Sequence, residues 1–332
     1  MKPVLVTGAA GFIGSHLVDA LLARDVPVRA LVRPTSDRRW LDPARVTFML
    51  GDVGESEHED ALARAALGCA AVYHAAGITQ GDAGAFARVN AQGARRMARA
   101  AARAGVTRFV LVSSQAAGGP TRGERPRRED DPDAPVGAYG ESKLEGERLA
   151  AEVLDGSGTS LVTVRPAAVY GPRDAAFVLL FKLVARGIVP LPGGSRQRLS
   201  LVHAHDLAPG ILLAHERGRP GARYYLAAGP PVTTAHLVDT ICQSLGRKAL
   251  RFDVPSVMLR AAVSVAEALA RASGRPARLT RERLADWLEP NWTVDDARAR
   301  AELGYAPRIA LEAGIAETAA WYRSAGWIAK ST

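Results

Sequence analysis

The sequence predicts an α/β protein: a doubly wound parallel sheet followed by a smaller, mainly helical lobe. Three observations lead there. Short β-branched runs alternate with longer Ala/Leu/Arg stretches of helical period, the pattern of βαβ units. A glycine-rich turn, Gly8 to Gly14, stands between the first such run and the first helical stretch. After Gly171 the alternation loosens, with Pro-Gly punctuation at 190–194 and 229–231.

Six strands are expected, at Val4–Val6, Val26–Val32, Val46–Leu50, Ala71–His74, Phe109–Val112 and Leu161–Val164. Each is a short apolar run of the kind that a parallel sheet buries on both faces. Parallel neighbours need crossovers, and helices fit between the runs at 14–23, 57–67, 87–104 and 139–154. The segment Pro120 to Pro135, an Arg block turning into Glu129-Asp130-Asp131, reads as a surface loop. Val254 to Ala272, interrupted by Arg260, Glu267 and Arg271, reads as an amphipathic helix with one face on the core, the alternative being a helix that lies on a membrane. The expected division is 1–171 for the dinucleotide-binding domain, to which the chain returns at about 199–228. Residues 172–198 and 229–332 then form the second lobe.

With 332 residues, 48% hydrophobic and 23% charged, the chain can bury a large core. The net charge of +9 raises the question of nucleic acid. Five lysines and 38 arginines, scattered through helical stretches with only 6% aromatics, answer against it, and no nucleic-acid partner is expected. Cys69 and Cys242 stand apart, as suits a reducing compartment, so the expected location is cytoplasmic. The first apolar run is too short for a signal-peptide core, and nowhere do about eighteen uncharged apolar residues follow one another, so no transmembrane segment is expected.

Chemistry begins at Gly8-Ala9-Ala10-Gly11-Phe12-Ile13-Gly14. Directly after a strand and before a helix, Gly8 permits a tight turn, Gly11 lets backbone approach a pyrophosphate, and Gly14 lets helix pack on strand. This is a Rossmann-type dinucleotide site, with one residue more in the first gap than the common fingerprint. The second signal is Tyr139-Gly-Glu-Ser-Lys143, whose i, i+4 spacing puts both side chains on one helix face. Ser113-Ser114 ends the fifth strand, where the ligand crevice of an open sheet lies. A tyrosine acts as a base near neutrality only if its pKa, ordinarily about 10, is lowered, and the Lys143 ammonium would do that.

These residues resemble the short-chain dehydrogenase/reductase superfamily, in its extended, NAD-dependent epimerase/dehydratase-like branch. The resemblance spans nearly the whole chain. It includes Gly51-Asp52, His74-Ala75-Ala76-Gly77, Val89-Asn90-Ala91-Gln92-Gly93, Arg165 to Pro172, and Asn291-Trp292 with Leu303-Gly304-Tyr305-Ala306-Pro307. It implies Tyr139 as general acid/base, Lys143 as ribose ligand and tuner of Tyr139, and Ser114 as a donor to the reacting oxygen. For the cofactor it implies Gly8, Gly11, Phe12, Ile13 and Gly14 at the pyrophosphate and Asp52 and Val53 by the adenine. Ala75, Ala76 and Gly77 would run along the cofactor, with Pro166 near the nicotinamide. Asn90 could be structural or catalytic. A homodimer through the helices near 87–104 and 139–154 is also implied.

An NAD enzyme of this kind places an acid at the end of the second strand, on the ribose 2′-OH. Here that position is Arg33, followed by Ser36 and Arg38, so NADP(H) is expected over NAD(H), with these three at the 2′-phosphate. Sugar-nucleotide members typically carry Arg-Asp-Phe where this chain has Leu199-Ser200-Leu201. The form resembles hydroxysteroid-dehydrogenase-like and dihydroflavonol-reductase-like members, which implies an apolar or aromatic ketone and its secondary alcohol. Val178, Leu179, Phe181, Leu183 and Val184 could line such a pocket or form helix core. A nucleotide-sugar epimerase or dehydratase with tightly bound NAD(P), and a non-catalytic cofactor sensor, remain as alternatives. His203-Ala204-His205-Asp206 could place two imidazoles on one strand face, but the resemblance implies a strand-to-helix junction here with Asp206 as N-cap and with His205 in place of the usual acid, and no metal is expected.

Overall fold

The four residues of β1 (Val4–Thr7) are all buried, and a strand buried on both faces needs a neighbour on each side. Its neighbours are β2 (Val28–Val32) and β4 (Ala71–His74), both parallel to it. Outward on one side lies β3 (Val46–Leu50), and on the other β5 (Arg108–Val112) and β6 (Ser160–Pro166). The computed structural model that shows this describes residues 1–273, 284, 285 and 288–329. The parts of the expected second lobe at 274–283, 286–287 and 330–332 lie outside the described residues.

Beyond β6 the chain makes four short strands: β7 (Ala168–Tyr170), β8 (Ile188–Leu191), β9 (Arg198–Leu199) and β10 (Leu201–His203). It then returns to the main sheet as β11 (Arg223–Leu226), parallel to β6. The order is β3-β2-β1-β4-β5-β6-β11, seven strands where six were expected. The seventh escapes a search for β-branched runs because it reads Arg-Tyr-Tyr-Leu, and it holds its place by burying Tyr224 and Tyr225 completely. The order reverses between β1 and β4, which opens a crevice at the carboxyl ends of those strands.

Crossover helices α1 (Phe12–Leu22), α2 (Glu59–Ala66), α4 (Gln92–Arg103) and α6 (Gly137–Leu154) cover the sheet near their expected places, and two one-turn helices that were not expected, α3 (Ala83–Phe86) and α5 (Gln115–Gly118), precede α4 and α6. Strand alternation feeds two cores. Val4 and Val6 face Leu17, Val18 and Ile211, while Leu5 faces Leu62, Met97 and Phe109. The second lobe has α7 (Val178–Ala185), the sheet-packing α8 (Ala204–Arg217), then β12 (Val232–Thr233), α9 (Thr234–Leu245), β13 (Leu250–Asp253), α10 (Ser256–Ser273), β14 (Asn291–Trp292) and α11 (Leu311–Ser324). Its core holds Phe181, Leu237, Ile241, Ile315 and Tyr322. Trp40, in the loop after β2, meets Trp321 of α11 at 5.5 Å between ring centroids, and the Arg173 guanidinium lies over it at the same distance.

The segment 120–135 is not the plain surface loop its charge suggests. Arg122, Glu124, Arg125, Arg128 and Asp130 are exposed, but Arg127 and Glu129 are buried and three acidic or basic groups turn inward: Glu129 accepts the Tyr225 N–H, Asp133 binds Arg165 and Arg223, and Arg127 reaches the Pro120 carbonyl. Thr121 and Arg127 hold the strand that runs through β14 to Val294.

Candidate active site

Gly8 has φ +66°, and a Cβ there would come within 2.7 Å of the Ala75 carbonyl and the Ala76 nitrogen. A Cβ on Gly14 would collide with the Gly8 carbonyl oxygen. These two glycines let the turn, the start of α1 and the end of β4 close on one another. Gly11 caps α1 without a side-chain hydrogen bond, so the first-turn N–H groups at Phe12, Ile13 and Gly14 are left for an anion. A dinucleotide pyrophosphate fits this cradle. Thr7, which the motif reading passed over, ties the parts together: its hydroxyl meets His74 Nδ1 at 2.9 Å and accepts the Ala76 N–H at 3.2 Å. Burial, with Lys143 adding to it, lowers the His74 pKa to about 3, so the ring is neutral.

At the end of β2 the chain turns back, with the Ser36 hydroxyl accepting the Arg33 N–H at 3.0 Å. Arg33 is exposed, and Arg38 lies over Phe48 at 4.8 Å. Asp37 is engaged by Arg39, and among the described residues neither Arg33 nor Arg38 has a carboxylate partner. The pair is therefore available to an external anion. Asp52 accepts the Gly54 N–H at 2.8 Å, and Val53 is buried against Gly93. Pro166 ends β6, buried, opposite Leu226.

Lys143 is buried on α6, its Nζ donating to the Val112 carbonyl at 2.8 Å. A Cβ on Gly77 would lie 3.7 Å from that Nζ, so the ammonium stands beside the loop after β4. Burial lowers its pKa to about 8. Tyr139, one turn earlier, packs its ring edge-to-face with Phe86 at 5.8 Å, a neighbour that no motif announced. Ser114 is the N-cap of α5, its hydroxyl accepting the Ala116 N–H at 3.1 Å. Gly140, next to Tyr139, brings α6 so close that a Cβ there would meet the Ala116 carbonyl at 2.6 Å. Ser114, Tyr139 and Lys143 are thereby gathered at the carboxyl end of β5.

Asn90 lies in a π-turn over Ala87–Ala91 and spends its amide on the backbone: it accepts from Ile78 N–H and donates to Ile78 O and Ser142 Oγ. Those bonds give it a structural task. On α7, Phe181 and Val184 are fully buried in the second lobe's core, so the pocket-lining reading fails for these two, while Leu179 is exposed. Asp206 is not the N-cap of α8. His203 is, and Asp206 sits in the first turn accepting the Arg308 and Ile309 N–H groups.

His203, His205 and Glu317 bring donor atoms within 4.8 Å of one another. As a cap, His203 accepts the His205 N–H on Nδ1, so in the neutral ring the proton is on Nε2, 3.8 Å from Glu317, and no lone pair is offered there. Burial, with His205 and His16 adding to it, lowers the His203 pKa to about 4. His205 pairs with Glu317 at 3.1 Å.

The model of the NAD dependent epimerase/dehydratase family matches residues 4–227. A 4-hydroxy-2-methyl-3-oxo-4-farnesyl-3,4-dihydroquinoline-1-oxide ketoreductase of Stigmatella aurantiaca is 33% identical over 93% of this chain and 93% of its own length. A ceramide reductase of Caulobacter vibrioides is 29% identical, covering 99% of this chain and 96% of its own. Among solved structures, MoeE5 in complex with UDP-glucuronic acid and NAD is similar at TM-score 0.78 and 27% identity, over 97% of this chain and 99% of that one. The chain thus belongs to the NAD dependent epimerase/dehydratase family, as an NAD(P)-dependent enzyme of the short-chain dehydrogenase/reductase type acting on CH–OH groups.

Proposed function

We propose that this protein is an NADP(H)-dependent oxidoreductase interconverting a ketone and a secondary alcohol on an apolar or aromatic small molecule. The bound nicotinamide supplies or accepts the hydride. Ser114 donates a hydrogen bond to the carbonyl oxygen and Tyr139 gives that oxygen its proton, taking it back in the oxidative direction. Lys143 favours the phenolate that remains on Tyr139 and holds the nicotinamide ribose. Asp52 and Val53 are assigned to the adenine, Ala75, Ala76 and Gly77 to the length of the cofactor, and Pro166 to its nicotinamide end. Residues 172–198 and 229–332 are taken as the substrate lobe and α4 with α6 as the dimer contact, which sedimentation velocity would test.

The cofactor preference rests on Arg33, Ser36 and Arg38. NADPH is expected to bind more tightly than NADH. Arg33→Ala with Arg38→Ala should weaken NADPH by roughly 10- to 100-fold, the loss of charge-assisted hydrogen bonds, and leave NADH unchanged. Equal dissociation constants for the two cofactors would overturn it.

The observation that carries the substrate class lies in the 199–201 segment. Ser200 is buried, its hydroxyl bonded to the Val294 N–H at 3.1 Å, and Leu201 is buried beside it, so this stretch presents no guanidinium to a diphosphate. Two relatives bear the names of reductases of a farnesylated quinoline oxide and of ceramide. Turnover and thermal-shift screens of cyclic, aromatic and long-chain ketones with NADPH, against UDP-, GDP- and dTDP-sugars, test the reading. Net NADPH oxidation with a ketone is the expected result. A nucleotide sugar that binds and is epimerised without net redox would replace it.

A further inference from the structure

Six of the large apolar side chains most exposed among the described residues fall on the paired strands β8 and β13 (Ile188, Leu250 and Phe252) and on α10 (Val257, Met258 and Val265), which follows β13 after only Val254 and Pro255. On the ribbon, Leu250 pairs with Ile188, and Phe252 lies two residues on, so the three share one face. On α10, Val257, Met258, Ala261, Ala262 and Val265 are all exposed and span an arc of about 140° at 100° per residue. The opposite face, Leu259 and Val263, packs on Leu284. A helix apolar on both sides is ordinarily covered on both. This one has its outer side open.

Cations rim the patch. Lys182 and Arg186 precede β8, Arg247 and Lys248 precede β13, and the Leu250 N–H donates to the Gly187 carbonyl, so the two basic starts lie side by side. Arg260 adds a fifth on α10. All five are exposed, and among the described residues none has a carboxylate partner. Two acids of this region are committed, Asp239 to Arg251 and Asp253 to the Ser195 N–H and hydroxyl. Exposed apolar side chains with unpaired cations at the starts of the same strands and on the same helix match a surface that is greasy within and anionic at its headgroups.

We propose that this face seats the protein on anionic lipid, with α10 lying in the plane of the interface, Val257, Met258 and Val265 at the acyl boundary and the five cations against the headgroups. No helix among the described residues is long and apolar enough to cross a membrane, so the contact is peripheral. It stands apart from the substrate reading, because it is measured without turnover.

Flotation of the full chain with vesicles of phosphatidylglycerol and phosphatidylcholine, against phosphatidylcholine alone, tests it. Binding to the anionic vesicles should exceed binding to the neutral ones by at least about tenfold and weaken strongly in salt of about 0.5 M. Met258→Glu with Val265→Glu, and separately Arg247→Glu with Lys248→Glu, should each reduce it about tenfold or more. Melting temperature and NADPH affinity should be kept, and Leu67→Glu, an exposed leucine of the nucleotide domain, should change nothing. Absence of flotation overturns the proposal, as does unchanged flotation in both charge-altered variants. So does a concentration-dependent dimer that Met258→Glu with Val265→Glu abolishes, since the face would then belong to a second copy of the chain.

Discussion

On the proposed mechanism Lys143 serves both Tyr139 and the nicotinamide ribose with one ammonium, so the candidate site should be most sensitive at this residue. Tyr139→Phe should abolish turnover while NADPH binding, read by calorimetry, stays near the wild-type value, because the ring against Phe86 remains and only the proton donor goes. Lys143→Met should damage both. Ser114→Ala should lower kcat by about 10- to 1000-fold, as loss of one oxyanion donor does. A pH dependence follows from burial, which holds Lys143 at about 8, below the ordinary lysine value of about 10.4. Between those values the unfolded chain binds more protons than the native one, so stability should rise with pH in that window. NADPH affinity should move the other way, falling as the ammonium is lost through about pH 8. Dissociation constants measured across that range check the sign, and Lys143→Met should flatten the profile; the same slope in that variant would assign the titration to another group.

Among the elements, the join of β1 to α1 is the least forgiving. Gly14→Ala drives a methyl into the Gly8 carbonyl oxygen, which the packed sheet cannot move aside. A lower melting temperature and loss of NADPH binding are expected together; a variant that lost only stability would mean the loop does not hold the pyrophosphate. That join was legible in the sequence because spaced glycines between a strand and a helix answer one steric demand. The central strands were legible too, since burial on both faces leaves only apolar residues. Asn90 was not. Its backbone task depends on a π-turn, one residue wider than a helix turn, which shows no period of its own. The inward charges of 120–135 were hidden for a related reason, because their partners Arg165, Arg223 and Tyr225 are far along the chain. Phe86 beside Tyr139 is likewise a contact between helices that no spacing records.

On the scale of the whole molecule, Arg165 is the tie between the sheet and its surroundings. Fully buried on β6, it donates two bonds to Glu147 of α6 and two to Asp133 of the 120–135 segment. Arg165→Leu would leave two carboxylates without their shared cation, and removing one partner of a buried pair typically costs about 3–5 kcal/mol. Urea denaturation should show that loss, and a change under about 1 kcal/mol would mean water replaces the guanidinium. The indole pair of Trp40 and Trp321 has a different consequence. Trp40 is carried on the loop of Arg33, Ser36 and Arg38 and lies under the Arg173 guanidinium, while Trp321 belongs to α11. With the cofactor bound as proposed, the pair should act as an optical gauge of its arrival. NADPH that orders the loop should change the emission of the pair in unlabelled protein, an effect that Trp40→Phe should largely silence.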